Sequence, residues 1–155
     1  MILNNVKNYF FENVNLSKIR ENNEISQRKT AELLGVSKST YARWETQEQF
    51  IPLIRLNEFC NLFNVSMDYA MGISKSNTYS NKLINLDNKL IGARIRKIRL
   101  DNNLTQEKLA IFLNTTHSTI SAYENGKTLI LTIFAFEICK KYNYSLDWLC
   151  GKKEN

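Results

Sequence analysis

Proline and glycine are scarce in this chain, with one Pro and five Gly among 155 residues. Turn-rich β structure depends on both residue types, so their scarcity favours helices. Three cysteines occur without any Cys-x-x-Cys spacing, and the single histidine, His117, is far from each of them in the sequence. This number and arrangement of cysteines indicates neither a disulfide framework nor a zinc site.

Other absences narrow the class of protein. No apolar run is long enough to cross a bilayer, and the first residues lack the pattern of a secretory signal. We therefore expect a cytoplasmic protein that does not contact membranes. A glycine-rich phosphate loop and a carboxylate cluster in an apolar setting are also missing, as is a Cys/His pair in a plausible context. Their absence argues against an enzyme and gives no indication of a cofactor or a metal.

Positive charge exceeds negative charge, with 21 Lys and Arg against 15 Asp and Glu. This sign suits a polyanionic partner, although a mildly basic soluble protein of another kind would share it. Residues 1–78 carry nine basic and eight acidic side chains, a net charge of +1. Residues 79–155 carry twelve and seven, a net charge of +5, so the second half should dominate any attraction to phosphates.

An internal repeat with a period of 79 residues organises the chain. Residues 14–72 align with residues 93–151 without a gap, and about a third of the aligned positions are identical. Duplication of one domain explains a gapless register of this length. We predict a first domain over 1–72, a polar linker over 73–88 and a second domain over 89–155. Residues 1–11 contain an apolar NYFF stretch that could extend the first helix or make a dimer contact.

Each repeat is predicted to form five helices. In the second copy, Ile91, Ile95 and Ile98 recur at helical spacing, with Leu100 near the same face. Gly126 is expected to end the third helix in the left-handed conformation. The predicted N-caps of the second to fifth helices are Thr105, Thr116, Thr132 and Ser145. The second and third helices, joined by a short turn, have the arrangement of a helix-turn-helix unit.

The stretch IGARIRKIRLDNNLTQEKLAIFLNTTHSTISAYENGKT, followed by KKYNYSLDWLCG, resembles the Xre/lambda-repressor-like (Cro-like) helix-turn-helix family. The similarity covers nearly all of residues 90–151 and most of residues 12–72. It implies an all-α protein of two tandem five-helix domains that bind double-stranded DNA as a dimer on a two-part site. The sixteen linker residues are long enough for one chain to occupy two adjacent major grooves, so a homodimer and an intramolecular pseudo-dimer both stay open. Gln47 stands where the second copy has Gly126, so it must adopt a positive φ or the helix must end differently.

The resemblance also assigns residues to the DNA. The third helix of each copy would lie in the major groove and read base edges. The base-reading positions are Lys38, Ser39 and Arg43 in the first copy and His117, Ser118 and Ser121 in the second. Contacts to phosphate or positioning of that helix fall to Gln27, Ser37 and Thr46 in the first copy and to Gln106, Thr116, Asn125 and Lys127 in the second. Structural ion pairs are expected between Arg20 and Glu45 and between Arg99 and Glu124.

The leading hypothesis is therefore a sequence-specific DNA-binding regulator of transcription. The alternative is a protein-interaction module, such as an antitoxin or a partner-recruiting protein with secondary DNA binding. The nearly neutral first domain and its missing glycine favour this rival, whereas the intact Gln, Ser and Arg positions oppose it. A protein partner therefore stays open beside DNA.

Overall fold

The computed structural model describes residues 14–80 and 82–154, and every regular element in these two ranges is an α-helix. The predicted all-α fold with tandem helical domains is confirmed. The chain divides into two compact units, which we call the N-terminal unit (14–80) and the C-terminal unit (82–154). No helix within the described ranges is long and apolar enough to cross a membrane. The hypotheses about residues 1–11 lie outside these ranges.

The described part of the N-terminal unit contains five helices. They are α1 (Leu16–Asn22), α2 (Gln27–Leu34), α3 (Lys38–Thr46), α4 (Leu53–Phe63) and α5 (Met67–Ala70). Ser26, Ser37 and Ser66 precede α2, α3 and α5, and each hydroxyl accepts a hydrogen bond from the backbone N–H three residues later. These caps satisfy N–H groups that the helix itself leaves without partners.

The C-terminal unit repeats this order. Its helices are α6 (Asn88–Asp101), α7 (Gln106–Phe112), α8 (His117–Glu124), α9 (Thr132–Tyr142) and α10 (Leu146–Leu149). Thr105, Thr116 and Ser145 cap α7, α8 and α10 as predicted.

Two expectations for this unit were wrong. Thr132 does not cap α9 but is its first residue, because its side chain is buried and Leu131 occupies the cap position. Leu100 is 53% exposed, whereas Ile95 and Ile98 are buried. A helix turns by about 100° per residue, which rotates Leu100 well away from Ile98.

Each unit has its own apolar core. In the N-terminal unit the ring of Tyr41 stacks on Phe59 with centroids 6.4 Å apart and meets the edge of Trp44. In the C-terminal unit Ile120 and Phe136 are buried. All three cysteines, Cys60, Cys139 and Cys150, are buried and form no disulfide, so they pack as small apolar side chains.

A left-handed residue follows the third helix of each unit, directly after α3 and one residue beyond Asn125 after α8. Gln47 has φ 63° and Gly126 has φ 70°. A Cβ atom at Gly126 would lie 2.8 Å from Cγ and 3.0 Å from Cα of Lys89, so glycine is required there for space as well as for conformation. Gln47 adopts the positive φ anticipated as one of its two alternatives.

The segment between the repeats makes contacts with both units. Asn77 binds the N-terminal unit, since its side chain donates to the carbonyl of Asn64 and accepts from the N–H of Ser66. Lys82 pairs with Glu154 at 3.3 Å in the C-terminal unit. Because Asn77 and Lys82 are held by these contacts, fewer than the sixteen residues of the predicted linker 73–88 are free to extend.

Candidate nucleic-acid interface

A short connection joins the two helices of each helix-turn-helix unit. Residues 35–37 connect α2 to α3, and residues 113–116 connect α7 to α8. Gly35 has φ 70°, which lets the chain leave α2 and turn directly into the Ser37 cap of α3. Both pairs of helices pack against each other, so α3 and α8 have fixed positions relative to the helix before them.

The residues predicted to read bases lie on the outer surface of α3 and α8. Lys38, Ser39 and Arg43 are exposed in the N-terminal unit, with Ser39 and Arg43 one helical turn apart. In the C-terminal unit His117 and Ser118 are exposed and Ser121 is half-buried. Each unit therefore presents three of these side chains along the first two turns of its third helix.

Local contacts hold some of these groups. Arg43 Nε lies 3.8 Å from a carboxylate oxygen of Glu48, and both side chains are at least half exposed. His117 Nε2 lies 3.7 Å from Glu107 Oε1. Exposed charged pairs of this length contribute only about 0–1 kcal/mol to stability, so a ligand could break them at little cost in free energy.

The capping hydroxyls of Ser37 and Thr116 are turned toward their own helices. Ser37 Oγ accepts from the Thr40 N–H at 3.1 Å, and Thr116 Oγ1 accepts from the Thr119 N–H at 3.2 Å. Ser37 also forms a hydrogen bond with the hydroxyl of Ser39 at 3.2 Å. The cap thus also holds the Ser39 side chain in place on the outer surface.

An arginine, a glutamine and a glutamate brace α3 from behind, and we call Arg20, Gln27 and Glu45 the N-terminal bracing cluster. Arg20 Nε and Nη2 donate to the two oxygens of Glu45 at 2.6 and 3.1 Å. Gln27 Nε2 donates to Glu45 Oε1 at 2.9 Å, and Arg20 Nη1 donates to the Ile25 carbonyl. One carboxylate of α3 is therefore tied to α1 and α2 together.

Arg99, Gln106 and Glu124 form the C-terminal bracing cluster with nearly the same distances. Arg99 donates to Glu124 at 2.7 and 3.0 Å, and Gln106 Nε2 donates to Glu124 Oε1 at 3.2 Å. The Glu45 and Glu124 side chains are only 6% and 3% exposed. Buried carboxylates require such pairing, which makes both clusters sensitive to the loss of any member.

Glu45 stays ionised in this environment. Burial alone would raise the pKa of Glu45, but the hydrogen bonds from Arg20 and Gln27 outweigh it and hold the pKa below its ordinary value. The hydrogen bond to Glu45 in turn raises the pKa of Arg20. The pair is therefore charged throughout the physiological pH range.

The remaining residues predicted to touch phosphate border the ends of the third helices. Thr46 is the last residue of α3, and its hydroxyl donates to the Arg43 carbonyl at 3.3 Å. Asn125 and Lys127 follow α8 and are exposed, and Asn125 Nδ2 donates to Ser121 Oγ at 3.2 Å. Gln27 and Gln106 are half-buried beside the last turns of α3 and α8, where each donates one amide N–H to the glutamate of its cluster.

Gly92 is a positioning residue that the sequence reasoning missed. A Cβ atom there would lie 2.8 Å from the Glu124 carbonyl oxygen and would also overlap the Tyr123 carbonyl. Only glycine lets α6 approach the end of α8 this closely. A glycine inside a strongly helical sequence pattern destabilises the helix by about 1 kcal/mol relative to alanine. Its presence at position 92 was the sequence signal that could have identified the close approach of the two helices.

Comparisons with known proteins agree with this geometry. The profile of the helix-turn-helix family matches twice, over residues 16–69 and 95–149. An uncharacterized HTH-type transcriptional regulator, YobD of Bacillus subtilis, is 30% identical over 59 residues, which cover 38% of this chain and 53% of that protein. Antitoxin PezA of Streptococcus pneumoniae is 32% identical over 63 residues, which cover 41% of this chain and 40% of that protein.

These curated relatives are matched over only about half of their own length or less. No solved structure matches the chain. The two profile matches include both bracing cluster carboxylates and both third helices, and together they span well over half of the chain. The chain therefore belongs to the Xre-like helix-turn-helix family, with two tandem copies of the domain.

Proposed function

We propose that this protein is a sequence-specific regulator of transcription that binds double-stranded DNA with α3 and α8 in the major groove. One observation carries the proposal. In both units a buried cluster fixes the third helix from behind, while the outer surface of that helix carries exposed polar side chains. A rigid helix with hydrogen-bonding groups on its outer face is the element that base reading in the major groove requires.

The two units would read different half-sites. Arg43 can form two hydrogen bonds with the major-groove edge of guanine, and each good pair of this kind discriminates by about 1–3 kcal/mol. Ala122 stands at the corresponding place in α8 and offers only an apolar contact, such as one with a thymine methyl group. The preferred operator would thus be an asymmetric two-part site, occupied by one chain as a pseudo-dimer or by a homodimer.

Gln27 and Gln106 would support this contact in two ways. Each holds the carboxylate of its cluster with one amide N–H and has a second N–H that can donate to a phosphate. Thr46, Asn125 and Lys127 would add phosphate contacts beside the third helices. The phosphate contacts would set most of the affinity but none of the sequence preference.

Repression by promoter occlusion is the mode of regulation that we propose. The described residues are taken up by two helix-turn-helix units, and a bound pair of such units would cover a promoter without further contacts. Similarity to a protein named as an HTH-type transcriptional regulator supports a role in transcription.

A protein-binding role is the second candidate, and similarity to a protein named as an antitoxin favours it. The N-terminal half, with its net charge of +1, would be the part devoted to a protein partner in that case.

Selection of bound duplexes from a random pool tests the proposal on the full chain at near-physiological salt. The wild-type chain should enrich a two-part site. The variant Ser39→Ala/Arg43→Ala should lose one part, His117→Ala/Ser118→Ala should lose the other, and Lys141→Ala is the control with a charge removed elsewhere. If no duplex is enriched, DNA regulation is the wrong function and the search turns to a protein partner.

A further inference from the structure

A cleft of about 310 Å³ opens in the C-terminal unit where α9 turns into α10. Its lining residues are Lys97, Asn143, Tyr144, Ser145 and Trp148. We propose that this cleft binds an extended segment of a partner protein that presents an asparagine side chain to the backbone carbonyl of Asn143. This inference is independent of DNA binding and assigns a second binding site to the chain.

The N-terminal unit already holds such a segment at the corresponding place. Asn64 and Ser66 stand 79 positions before Asn143 and Ser145. The Asn77 side chain donates to the Asn64 carbonyl at 3.0 Å and accepts from the Ser66 N–H at 2.9 Å. An asparagine carboxamide from a later segment of the chain therefore fits the turn between the last two helices of this fold.

The backbone that receives Asn77 has the same shape in the other unit. Asn64 has φ 54° and ψ 47°, and Asn143 has φ 60° and ψ 49°. Ser66 and Ser145 are both extended and both cap the short helix after them. The Asn143 carbonyl accepts no hydrogen bond from the described residues. The C-terminal unit thus presents the same acceptor at the edge of an open cleft.

The walls of the cleft indicate which kind of side chain lies near the asparagine in the partner. Tyr144 and Trp148 replace Val65 and Tyr69 of the first repeat, and their ring centroids are 5.3 Å apart. The Arg94 guanidinium lies 4.9 Å from the centroid of the Trp148 ring and donates to the Trp148 carbonyl, which fixes this wall. Two neighbouring aromatic rings favour an aromatic or apolar side chain near the asparagine. Tyr79 stands two residues after Asn77 in the segment that serves as template.

The cleft lies on the side of α6 opposite to α8. Gly92 and Arg99 face α8, whereas Arg94, Lys97 and Asp101 contact residues of the cleft region. At about 100° per residue, these two sets occupy opposite faces of α6. A partner seated in the cleft would leave the outer surface of α8 open, so the two binding events need not compete.

A peptide titration of the full chain tests the inference. The probe is the synthetic peptide of residues 73–80, Ile-Ser-Lys-Ser-Asn-Thr-Tyr-Ser, and the matched control is the same peptide with Asn77→Asp. The readouts are the NMR signals of the Trp148 indole and the Ser145 amide, with the Trp44 indole as reference. We expect the asparagine peptide to shift the Trp148 and Ser145 signals. The aspartate peptide should bind at least tenfold more weakly, because a carboxylate cannot donate to the Asn143 carbonyl.

A variant of the chain tests whether the peptide can bind a turn of this type at all. Asn77→Ala removes the side chain that binds Asn64 and Ser66, so the peptide should then also shift the amide signals of residues 64–66. A peptide that binds this variant at residues 64–66 but never moves Trp148 overturns the inference. So does an equal response of Trp148 to both peptides. A Trp148 shift that depends only on the concentration of the chain assigns the cleft to a self-contact and likewise overturns a separate partner.

Discussion

Arg20 holds Glu45 at 2.6 Å in the N-terminal unit, and Arg99 holds Glu124 at 2.7 Å in the C-terminal unit. The outer surfaces of the helices that carry these glutamates differ far more. In α3, Arg43 points outward at the place where α8 has Ala122. Duplication has kept the residues that position the third helix and has changed the side chains that this helix presents. The buried side of α3 and α8 therefore determines geometry, whereas the exposed side would determine specificity.

Removing the arginine of either cluster should give the largest effect. Arg20→Ala and Arg99→Ala each leave a buried carboxylate unpaired, which we expect to lower the free energy of unfolding of the affected unit by about 3–5 kcal/mol. Urea unfolding of the full chain measures this loss, and Lys141→Ala, at an exposed position, serves as the control. Arg99→Ala/Glu124→Gln should recover part of the stability because the buried charge is gone. Equal stability of the single and double variants would contradict an unpaired charge as the cause.

Exchanging the outer residues tests whether the difference between α3 and α8 sets specificity. Arg43→Ala should weaken binding to the selected site by about 1–3 kcal/mol, roughly 5- to 150-fold, and relax the preference for one guanine. Ala122→Arg should add a guanine preference to the other half-site. Duplex titrations at fixed salt measure both effects, with the free energy of unfolding checked in parallel. An unchanged base preference in both variants would mean that these positions do not read DNA.

The ends of the third helices differ in how they tolerate a side chain. Gly126→Ala places a Cβ atom 3.0 Å from Lys89 Cα at φ 70°, and we expect it to destabilise the C-terminal unit by at least about 1–2 kcal/mol. Gln47→Gly relieves the same backbone strain but removes a buried side chain, so its net effect should be smaller. Thermal unfolding of both variants makes the comparison. A harmless Gly126→Ala would show that α6 and the end of α8 can move apart.

The sequence predicted the features that depend on periodicity and local capping. Thr105, Thr116 and Ser145 are caps, and Ile91, Ile95 and Ile98 are buried, because both properties arise from spacing within one helix. Thr132 was assigned wrongly because burial against other helices overrode its capping tendency. Gly92 and the cleft beside Trp148 depend on contacts between distant helices, which no local pattern contains.

Acid should weaken the N-terminal unit through Glu45. Its pKa is held below the ordinary value, so its pairing contributes stability above the unfolded-state pKa and loses it as the pH falls through the folded-state pKa. We expect a fall in stability below about pH 4.5, smaller than the effect of Arg20→Ala. The variant Glu45→Gln should be less stable at neutral pH, and its free energy of unfolding should fall less steeply as the pH is lowered. If the stability of Glu45→Gln falls with decreasing pH as steeply as that of the wild type, other carboxylates cause the pH dependence.

The smallest expected effect concerns the charge difference between the two halves of the chain, +1 and +5. Lys127 is exposed just beyond α8, at the position predicted to contact phosphate. A lysine that neutralises one phosphate releases about one counterion, so Lys127→Ala should reduce the slope of log affinity against log salt by about one. The base preference should not change, because a phosphate contact carries no sequence information. Lys141→Ala removes the same charge from the last turn of α9 and should leave the slope nearly unaltered. Equal slope changes for the two variants would show that DNA responds to the overall charge of the C-terminal half and not to a docked α8.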